Sequence, residues 1–477
     1  MPLSRSAFFT LALSIAVSAG AVSTTAVSTS AADGTLDPGF GNAGAAFVRP
    51  DDVEARQLHP YATSVLPNGQ ILLGGFRSRF NPEVPFEPEL RATVARLNAD
   101  GSVDAGFGNA SIPGLAVLPD IAPDSRIQAI HAMHVLDDGR IVAAGTALAH
   151  APATGFVVRL AADGSVDATF GTQGFARLAY TDIHALAIDA QGRIVVAGDN
   201  LEDFGHTFGT VTRLTPDGVI DTGFAGTGTL AIDWDGGARS NSLDAVAIGA
   251  NDTVVAAGSY ETGEGIDRDF AVARVNADGS YDTTFAKTGH RTFKAADVDS
   301  PANHIERIVL GADGAIAFSG QYTNADGKRA LVVGRLHVDG GNDTTFGDVT
   351  SPGYLRPSIM PDAFGVDTTG FLMQPDGKLV ASATYYSPTV KKTFLVVRTT
   401  AAGALDATFA DGGVFARDLA PQGPMSETGS MALQKDGRLV IAGAAQREEP
   451  LIDLAVVRLV NPSIAPDAIF ANGFESR

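Results

Sequence analysis

Short apolar runs separated by turn residues recur along the chain. In "IHALAIDAQGRIVVAG", residues 183–198, an apolar stretch meets a Gly turn and resumes as a second run. A variable loop leads to "TVTRL", and a Pro-Asp-Gly turn then leads to "IDTGF". Runs of this length, rich in β-branched residues and bounded by Gly and Asp turns, are typical of short strands joined by hairpins. The pattern therefore predicts about four strands in a unit of roughly 60 residues.

Three landmarks of this unit each occur seven times. An Asp-x-x-Phe segment ends at Phe40, Phe107, Phe170, Phe224, Phe285, Phe346 and Phe409. The turn before the second apolar run lies at Gly69, Gly139, Gly192, Asp252, Gly314, Gly377 and Gly437. A further apolar stretch ends at Arg96, Arg159, Arg213, Arg274, Arg335, Arg398 and Arg458. Such a unit cannot bury both of its faces alone, so stacked copies must cover each other.

The order of the landmarks predicts how the ends of the array meet. The first copy begins at "ADGTLDPGF", the outermost strand of a unit, and the last ends at "LAVVRLV", the strand just inside it. We expect an all-β fold, a seven-bladed β-propeller of four-stranded antiparallel blades, with the N-terminal strand completing the last blade and closing the ring. A β-solenoid is the alternative, and it requires neither such long repeats nor divided termini.

Arginine and aspartate recur at a fixed spacing that tests this arrangement. Across a three-residue hairpin loop, residues eight apart face each other, so each Arg should pair with the following Asp. The pairs are Arg96 and Asp104, Arg159 and Asp167, Arg213 and Asp221, Arg274 and Asp282, Arg335 and Asp343, and Arg398 and Asp406. Arg458 has no such Asp after it and Asp37 no Arg before it, so ring closure should pair these two.

Repeats that carry "DGSVDATFG" followed by "DGRIVVAG" resemble the delta-60 repeat family of bacterial β-propeller proteins. The resemblance covers about residues 32–460. Blade four departs from it with "ANDT" and blade six with "VASAT". The resemblance implies an exported propeller and brings no catalytic residues with it.

Composition and charge narrow the function classes. The net charge of −20 opposes binding to nucleic acid or anionic membranes, because phosphate binding needs clustered Lys and Arg. Without cysteine, the chain has neither disulfides nor thiolate metal sites. The N-terminus has one early Arg, an apolar run over residues 7–17 and then small residues, as in secretory signal peptides, and later apolar runs are too short to span a membrane. We expect a signal peptide at 1–31, a propeller at 32–460, a tail at 461–477 that is either a sorting signal or a frayed end, and a secreted monomer.

One aligned position is the candidate site. Eight residues before each turn, at the start of what should be the innermost strand, stand Tyr61, His131, His184, Asp244, Glu306, Thr369 and Gly429. Polar side chains at this level would lie near the mouth of an axial channel, where two His, an Asp and a Glu could hold a divalent cation or act as acid and base. Alternatively, strand ends simply tolerate polar residues that reach water. His134 lies three residues after His131 and should face the other side of the strand.

Other polar features point to ligands less directly. The Asp of each Asp-x-x-Phe could bind calcium, but its matching Arg favours a structural role. "DWDGG" offers Asp233 and Asp235 as a calcium hint, without the later ligands of an EF-hand loop. The loop at 76–90 is either a contact surface or a tolerated insertion.

These observations predict an exported binding or scaffolding protein with a protein or carbohydrate ligand and no cofactor assigned. The alternative is a hydrolase or lyase with a metal or acid/base site at the channel mouth.

Overall fold

The fold is all-β in a computed structural model of the chain. One short 3-10 turn, Ala250–Asp252, interrupts the strands. The structure describes residues 32–49, 55–79, 89–108, 112–122, 125–148, 153–179, 181–201, 207–234, 239–263, 267–295, 302–359, 365–387, 392–421, 423, 425–449 and 451–461. The expected signal peptide, residues 462–477 of the tail, Asp235 and residues 80–88 of the long loop lie outside the described residues.

The described residues form twenty-eight strands in chain order. They are β1 (Ala45–Val48), β2 (Ala55–Val65), β3 (Ile71–Arg79), β4 (Glu89–Leu97), β5 (Leu115–Val117), β6 (Ile127–Val135), β7 (Ile141–Leu148), β8 (Thr154–Leu160), β9 (Phe175–Ala179), β10 (Thr181–Ile188), β11 (Ile194–Asn200), β12 (Phe208–Leu214), β13 (Thr229–Ala231), β14 (Asn241–Ile248), β15 (Val254–Glu261), β16 (Arg268–Val275), β17 (His290–Phe293), β18 (His304–Leu310), β19 (Ile316–Thr323), β20 (Arg329–Leu336), β21 (Tyr354–Leu355), β22 (Gly365–Met373), β23 (Leu379–Tyr386), β24 (Lys392–Thr399), β25 (Val414–Arg417), β26 (Ser426–Leu433), β27 (Leu439–Glu448) and β28 (Leu451–Leu459).

The strands pair into antiparallel sets of four. Four sheets are complete sets: β10 to β13, β14 to β17, β18 to β21 and β22 to β25. A 12-stranded sheet contains three more, β2 to β5, β6 to β9, and β26 to β28 with β1. Single parallel pairs join these three, Gln57 to Ile452 and Leu90 to Ile127. Six of the seven sets are thus local meanders, as the hairpin signals predicted, and the seventh joins β26 to β28 with β1 from the start of the described chain.

The first and last described strands lie side by side. β1 runs antiparallel to β28, with Ala45 opposite Val457, and Leu36 bridges Leu459. The segment around residue 40 therefore completes the set formed by β26 to β28.

The core lies between neighbouring sets. One cluster joins Phe40, Leu58 and Ile71 to Val440 and Val456, which come from two sets. The Phe of every Asp-x-x-Phe segment is at most 1% exposed. Burying one large aromatic ring in each set adds apolar area to the core that holds the sets together.

Arg and Asp form the same cross-strand unit in every set. The Arg Nε donates to an Asp Oδ2 at 2.6–2.9 Å in all seven pairs, including Arg458 to Asp37 at 2.8 Å. Each guanidinium also lies 4.5–5.0 Å from the centre of the adjacent Phe ring. These carboxylates are thus occupied by Arg, which opposes a role as calcium ligands.

Candidate functional site

The first strand of each set carries a β-bulge at the aligned polar position. Pairing with the second strand skips one residue in every set: Tyr61, His131, His184, Asp244, Glu306, Thr369 and Gly429. A bulge residue is left out of the ladder, and its side chain is re-aimed. The position found by alignment is therefore a repeated structural feature.

A glycine of the second strand accompanies the bulge in six sets. A Cβ on these glycines would lie 1.8–2.0 Å from a carbonyl oxygen of the first strand. They are Gly75, Gly145, Gly198, Gly258, Gly320 and Gly443, and Ala383 takes the place in the set of β22. The Gly that ends each "VVAG"-like run thus makes room for the bulged strand.

One cavity of about 190 Å³ touches the bulge region of all seven first strands. Its polar lining consists of Tyr61, Thr63, His131, His184, Asp244, Arg307, Thr369 and Ser430. Five of the six candidate side chains therefore line it, whereas Glu306 is not among the lining residues and its neighbour Arg307 is. Gly429 offers no side chain, and Ser430 lines the cavity in its set. His134 is not among the residues that line it.

Tyr61, His131 and His184 form a row along one side. The Tyr61 and His131 rings are 5.6 Å apart, and those of His131 and His184 are 6.3 Å apart. His131 Nδ1 lies 2.7 Å from the Ile183 carbonyl oxygen. Burial lowers the pKa of His131 and outweighs the effect of this contact, so the ring is neutral near pH 7.

Asp244 is the centre of a polar cluster. Its Oδ1 lies 3.2 Å from His184 Nδ1, and its Oδ2 lies 2.9 Å from His304 Nε2. Ser242 Oγ donates to Asp244 Oδ2 at 2.8 Å. Glu306 Oε1 is 3.9 Å from His304 Nε2. Three neighbouring sets thus bring their first strands, β10, β14 and β18, into one cluster.

The charges in this cluster are coupled. Burial alone would lower the pKa of His184, but Asp182 and Asp244 raise it well above its usual value. Burial is likewise outweighed at His304, where Asp244 raises the pKa to about 9. Burial raises the pKa of Asp199 to about 6 and also raises that of Glu306. Histidines and carboxylates whose pKa values are shifted in opposite directions are suited to act as proton donors and acceptors.

Asp244, His304 and Glu306 could hold a metal ion. One ligand atom from each lies within 4.8 Å of the others, and no other such group occurs among the described residues. The sequence suggested two His, one Asp and one Glu as possible metal ligands. Of these, Asp244 and Glu306 belong to the group, and His304 joins them. His184 contacts Asp244, and His131 lies apart. His304 stands two residues before the bulge. That position is polar in six of the seven sets, a pattern that could have identified His304 as a candidate from the sequence.

A second polar group joins β2 and β26 and includes His59 and Glu427, each two residues before the bulge of its strand. His59 Nε2 is 3.3 Å from Glu427 Oε2, and Lys392 Nζ also contacts Glu427. Burial lowers the pKa of His59 to about 4. Thr369 turns toward a neighbouring set, with its Oγ1 2.9 Å from Thr428 Oγ1.

The remaining sequence features lie away from the cavity. Asp233 is exposed, and its backbone N–H donates to the Tyr281 hydroxyl at 2.9 Å. Asn461, assigned to the tail, is 1% exposed and accepts a hydrogen bond from Arg398 at 2.8 Å. Among the described residues, no helix has the length and apolar character to cross a bilayer.

Solved structures resemble the chain only remotely. A protein of unknown function from Dyadobacter fermentans is 13% identical over 75% of this chain and 97% of its own, with a TM-score of 0.41. An ulvan lyase of polysaccharide lyase family PL25 is 11% identical over 86% and 94%, at 0.44. An α-L-arabinofuranosidase from Fusarium graminearum is 11% identical over 88% and 97%, at 0.40. These values are too low to carry an argument about function.

The repeats themselves match a known family. No curated protein matches the chain significantly. The family described as "Domain of unknown function (DUF5122) beta-propeller" matches residues 66–107, 136–170, 191–224, 250–285 and 374–409. Each matched segment begins near a turn between the first and second strands and ends at the Phe of an Asp-x-x-Phe segment. Five segments of the chain are therefore similar to repeats of a β-propeller family.

Proposed function

We propose that the chain is an exported, monomeric binding protein that takes a small polar ligand, a carbohydrate unit, into the cavity at the bulges. The observation that carries this is that all seven first strands contribute to one polar cavity, each at a bulge. A repeated β-bulge that aims variable side chains at one point is a means of building a ligand site on a uniform scaffold.

The proposal includes a closed ring of seven blades, of the delta-60 type. Its support is a cyclic order of contacts in which each Arg Nη1 reaches a hairpin of the next set. Arg96 meets the Ala162 carbonyl, Arg159 that of Pro216, Arg213 that of Ala277, Arg274 that of Val338, and Arg335 that of Ala401. Arg398 meets Asp33 and Asn461 of the last set, and Arg458 returns to Ala99 in the first.

A carbohydrate fits the chemistry of the lining. Tyr61 and His131 offer rings with polar edges, Arg307 offers N–H donors, and Thr63 and Ser430 offer hydroxyls. Such a set pairs with hydroxyl groups, which both donate and accept. The net charge of −20 favours neutral ligands over nucleic acid. Export is supported by the N-terminal pattern, a charged start followed by an apolar run and small residues.

An array of neutral and uronic-acid-containing oligosaccharides, probed with the purified protein, tests this function. We expect a defined subset to bind, with binding about tenfold weaker in Tyr61→Phe and weaker still in Arg307→Met, since each change removes donors from the cavity. Tyr281→Phe, outside the cavity, is the matched control and should bind like the unmodified protein. If no sugar binds, or if both cavity variants bind unchanged, the proposal is wrong.

An acid–base enzyme, a hydrolase or lyase, is the second candidate. It is favoured by the neighbouring His131 and His184, whose environments push their pKa values in opposite directions. In this case any bound oligosaccharide should be cleaved, with release of reducing ends or unsaturated sugars. His131→Gln and His184→Gln should each slow cleavage about 10²- to 10⁴-fold, and His290→Gln should not. If oligosaccharides bind but are not cleaved, the enzyme proposal is wrong and only the binding function stands.

A further inference from the structure

We propose that Asp244, His304 and Glu306 form a site for a divalent transition-metal ion of the zinc type. The site adjoins the sugar cavity through Asp244. This metal site goes beyond the proposed sugar binding. Its three ligands come from β14 and β18, and their contacts with one another do not require a sugar.

The separations between ligand atoms suit such an ion. Zinc binds His nitrogen and carboxylate oxygen at about 2.0–2.2 Å, which places two tetrahedral ligand atoms on the order of 3.4 Å apart. Asp244 Oδ2 and His304 Nε2 are 2.9 Å apart, and His304 Nε2 and Glu306 Oε1 are 3.9 Å apart. All three ligand atoms lie within 4.8 Å of one another, a spacing from which side-chain rotation would bring them to one ion.

The donor set selects the class of metal. Imidazole with carboxylate oxygen suits zinc and its transition-metal neighbours, whereas calcium takes six to eight oxygen ligands. Two of the three ligands are carboxylates. The bound ion would therefore also neutralise the negative charge of Asp244 and Glu306, which His304 faces in the metal-free protein.

Supporting contacts hold the ligands in place. Gln321 Nε2 donates to Glu306 Oε1 at 3.0 Å, and Ser242 Oγ donates to Asp244 Oδ2 at 2.8 Å. Partners of this kind orient metal ligands, and their loss lowers metal affinity about 10- to 100-fold. His184 also contacts this ligand set, with its Nδ1 3.2 Å from Asp244 Oδ1.

The site leaves room for access. The side chains of Asp244, His304 and Glu306 are 15%, 26% and 22% exposed. Three protein ligands leave the fourth position of a tetrahedral zinc ion open, as in catalytic sites. An ion here would therefore be able to touch a ligand in the adjoining cavity.

Zinc titration of the chelator-treated, dialysed full chain tests the proposal. Calorimetry and elemental analysis should give one zinc per chain, no binding of calcium, and, with cobalt, a visible absorption spectrum of nitrogen and oxygen coordination. His304→Gln should weaken zinc binding at least tenfold, and Gln321→Leu about 10- to 100-fold. His290→Gln, in β17 outside the cluster, should bind zinc unchanged.

The outcomes separate this proposal from the binding function. No stoichiometric zinc in the unmodified chain, or equal zinc binding by His304→Gln, overturns the metal site. Circular dichroism and thermal melting show whether His304→Gln is folded, and Gln321→Leu provides a second variant if it is not. Because zinc is titrated without sugar, absence of a sugar ligand leaves the metal result intact, and sugar binding without zinc refutes only the metal site.

Discussion

Arg398 shows how one residue departs from a repeated role. Six arginines reach a backbone carbonyl of the next set, but Arg398 meets the carboxylate of Asp33 and the amide oxygen of Asn461. It is fully buried and also pairs with Asp406. A cation enclosed in this way is balanced by fixed partners, so the protein depends on all of them together.

Replacing Arg398 should cost more than replacing Arg335, its less buried counterpart. Arg398→Met should lower the free energy of unfolding by about 3–5 kcal/mol, because it removes a fully buried cation, takes the counter-charge from Asp33 and leaves Asp406 with Lys378 alone. Arg335→Met, whose side chain is 22% exposed, should cost about 1 kcal/mol. Urea unfolding measures both, and equal losses would contradict the assignment.

The spacing of Arg and Asp in the sequence was sufficient to predict which residues face each other across a hairpin. It could not predict that Asn461 caps Arg398, because this contact depends on the side chain of a residue beyond the last repeat. Local pairs follow from turn geometry, whereas contacts between sets depend on the final packing.

At the scale of the strand, the bulge and its facing glycine act together. In β7, a Cβ on Gly145 would lie 1.9 Å from the Ala129 carbonyl oxygen, which is part of the backbone. Neither group can move away without disturbing the ladder. In six sets the glycine of the second strand therefore makes room for the bulge, and the bulge directs the cavity side chain, whereas Ala383 faces the bulge in the set of β22.

Substitution at this glycine should destabilise the strand pair. We expect Gly145→Ala to cost about 1–3 kcal/mol, the usual range for overpacking, and to shift the neighbouring His131. Ala383→Gly, at the equivalent place in β23, is the control and should cost at most about 1 kcal/mol. Thermal melting measures both, and an unchanged melting temperature in Gly145→Ala would show that the backbone relaxes freely.

Counting back from the turn located all seven bulge residues in the sequence. The count missed His304 as a partner of Asp244, because the contact joins β14 and β18 of different sets. It also missed Arg307, since the pattern does not reveal which residue of a bulged strand faces the cavity.

At the scale of the whole molecule, the seven Arg-paired carboxylates titrate in the same direction. The pKa of each is lowered, and at Asp167 it falls to about 2, chiefly through the hydrogen bond from the Thr169 hydroxyl, with help from Arg159. A carboxyl whose pKa is lower in the folded than in the unfolded chain stabilises the fold above its unfolded pKa, near 4, and loses that contribution as the pH falls.

The protein should therefore lose stability steeply between about pH 4 and pH 2. The melting temperature across this range measures the effect. Thr169→Ala should lower the melting temperature at neutral pH and make its fall between pH 4 and pH 2 smaller, because it removes the largest cause of the lowered pKa of Asp167. Thr227→Ala, whose hydroxyl contacts the backbone of Thr229 and none of these carboxylates, is the control. A melting temperature independent of pH in this range would contradict the prediction.

The repeat number could be predicted because the landmarks can be counted. The meeting of the two ends could be predicted because Asp37 and Arg458 each lacked a partner at the usual spacing. Ligand identity could not, since seven different side chains at one level specify a site only after the strands are assembled around it.

The pairing of Asp37 with Arg458 spans 421 residues and has a consequence for biosynthesis. While the chain leaves the ribosome, the segment around Leu36 has no partner until nearly every other strand has been made. Contacts of such long sequence separation form late, and unpaired strand edges are prone to aggregate in the meantime. Nascent chains halted before β28 should therefore depend on chaperones far more than the finished polypeptide does.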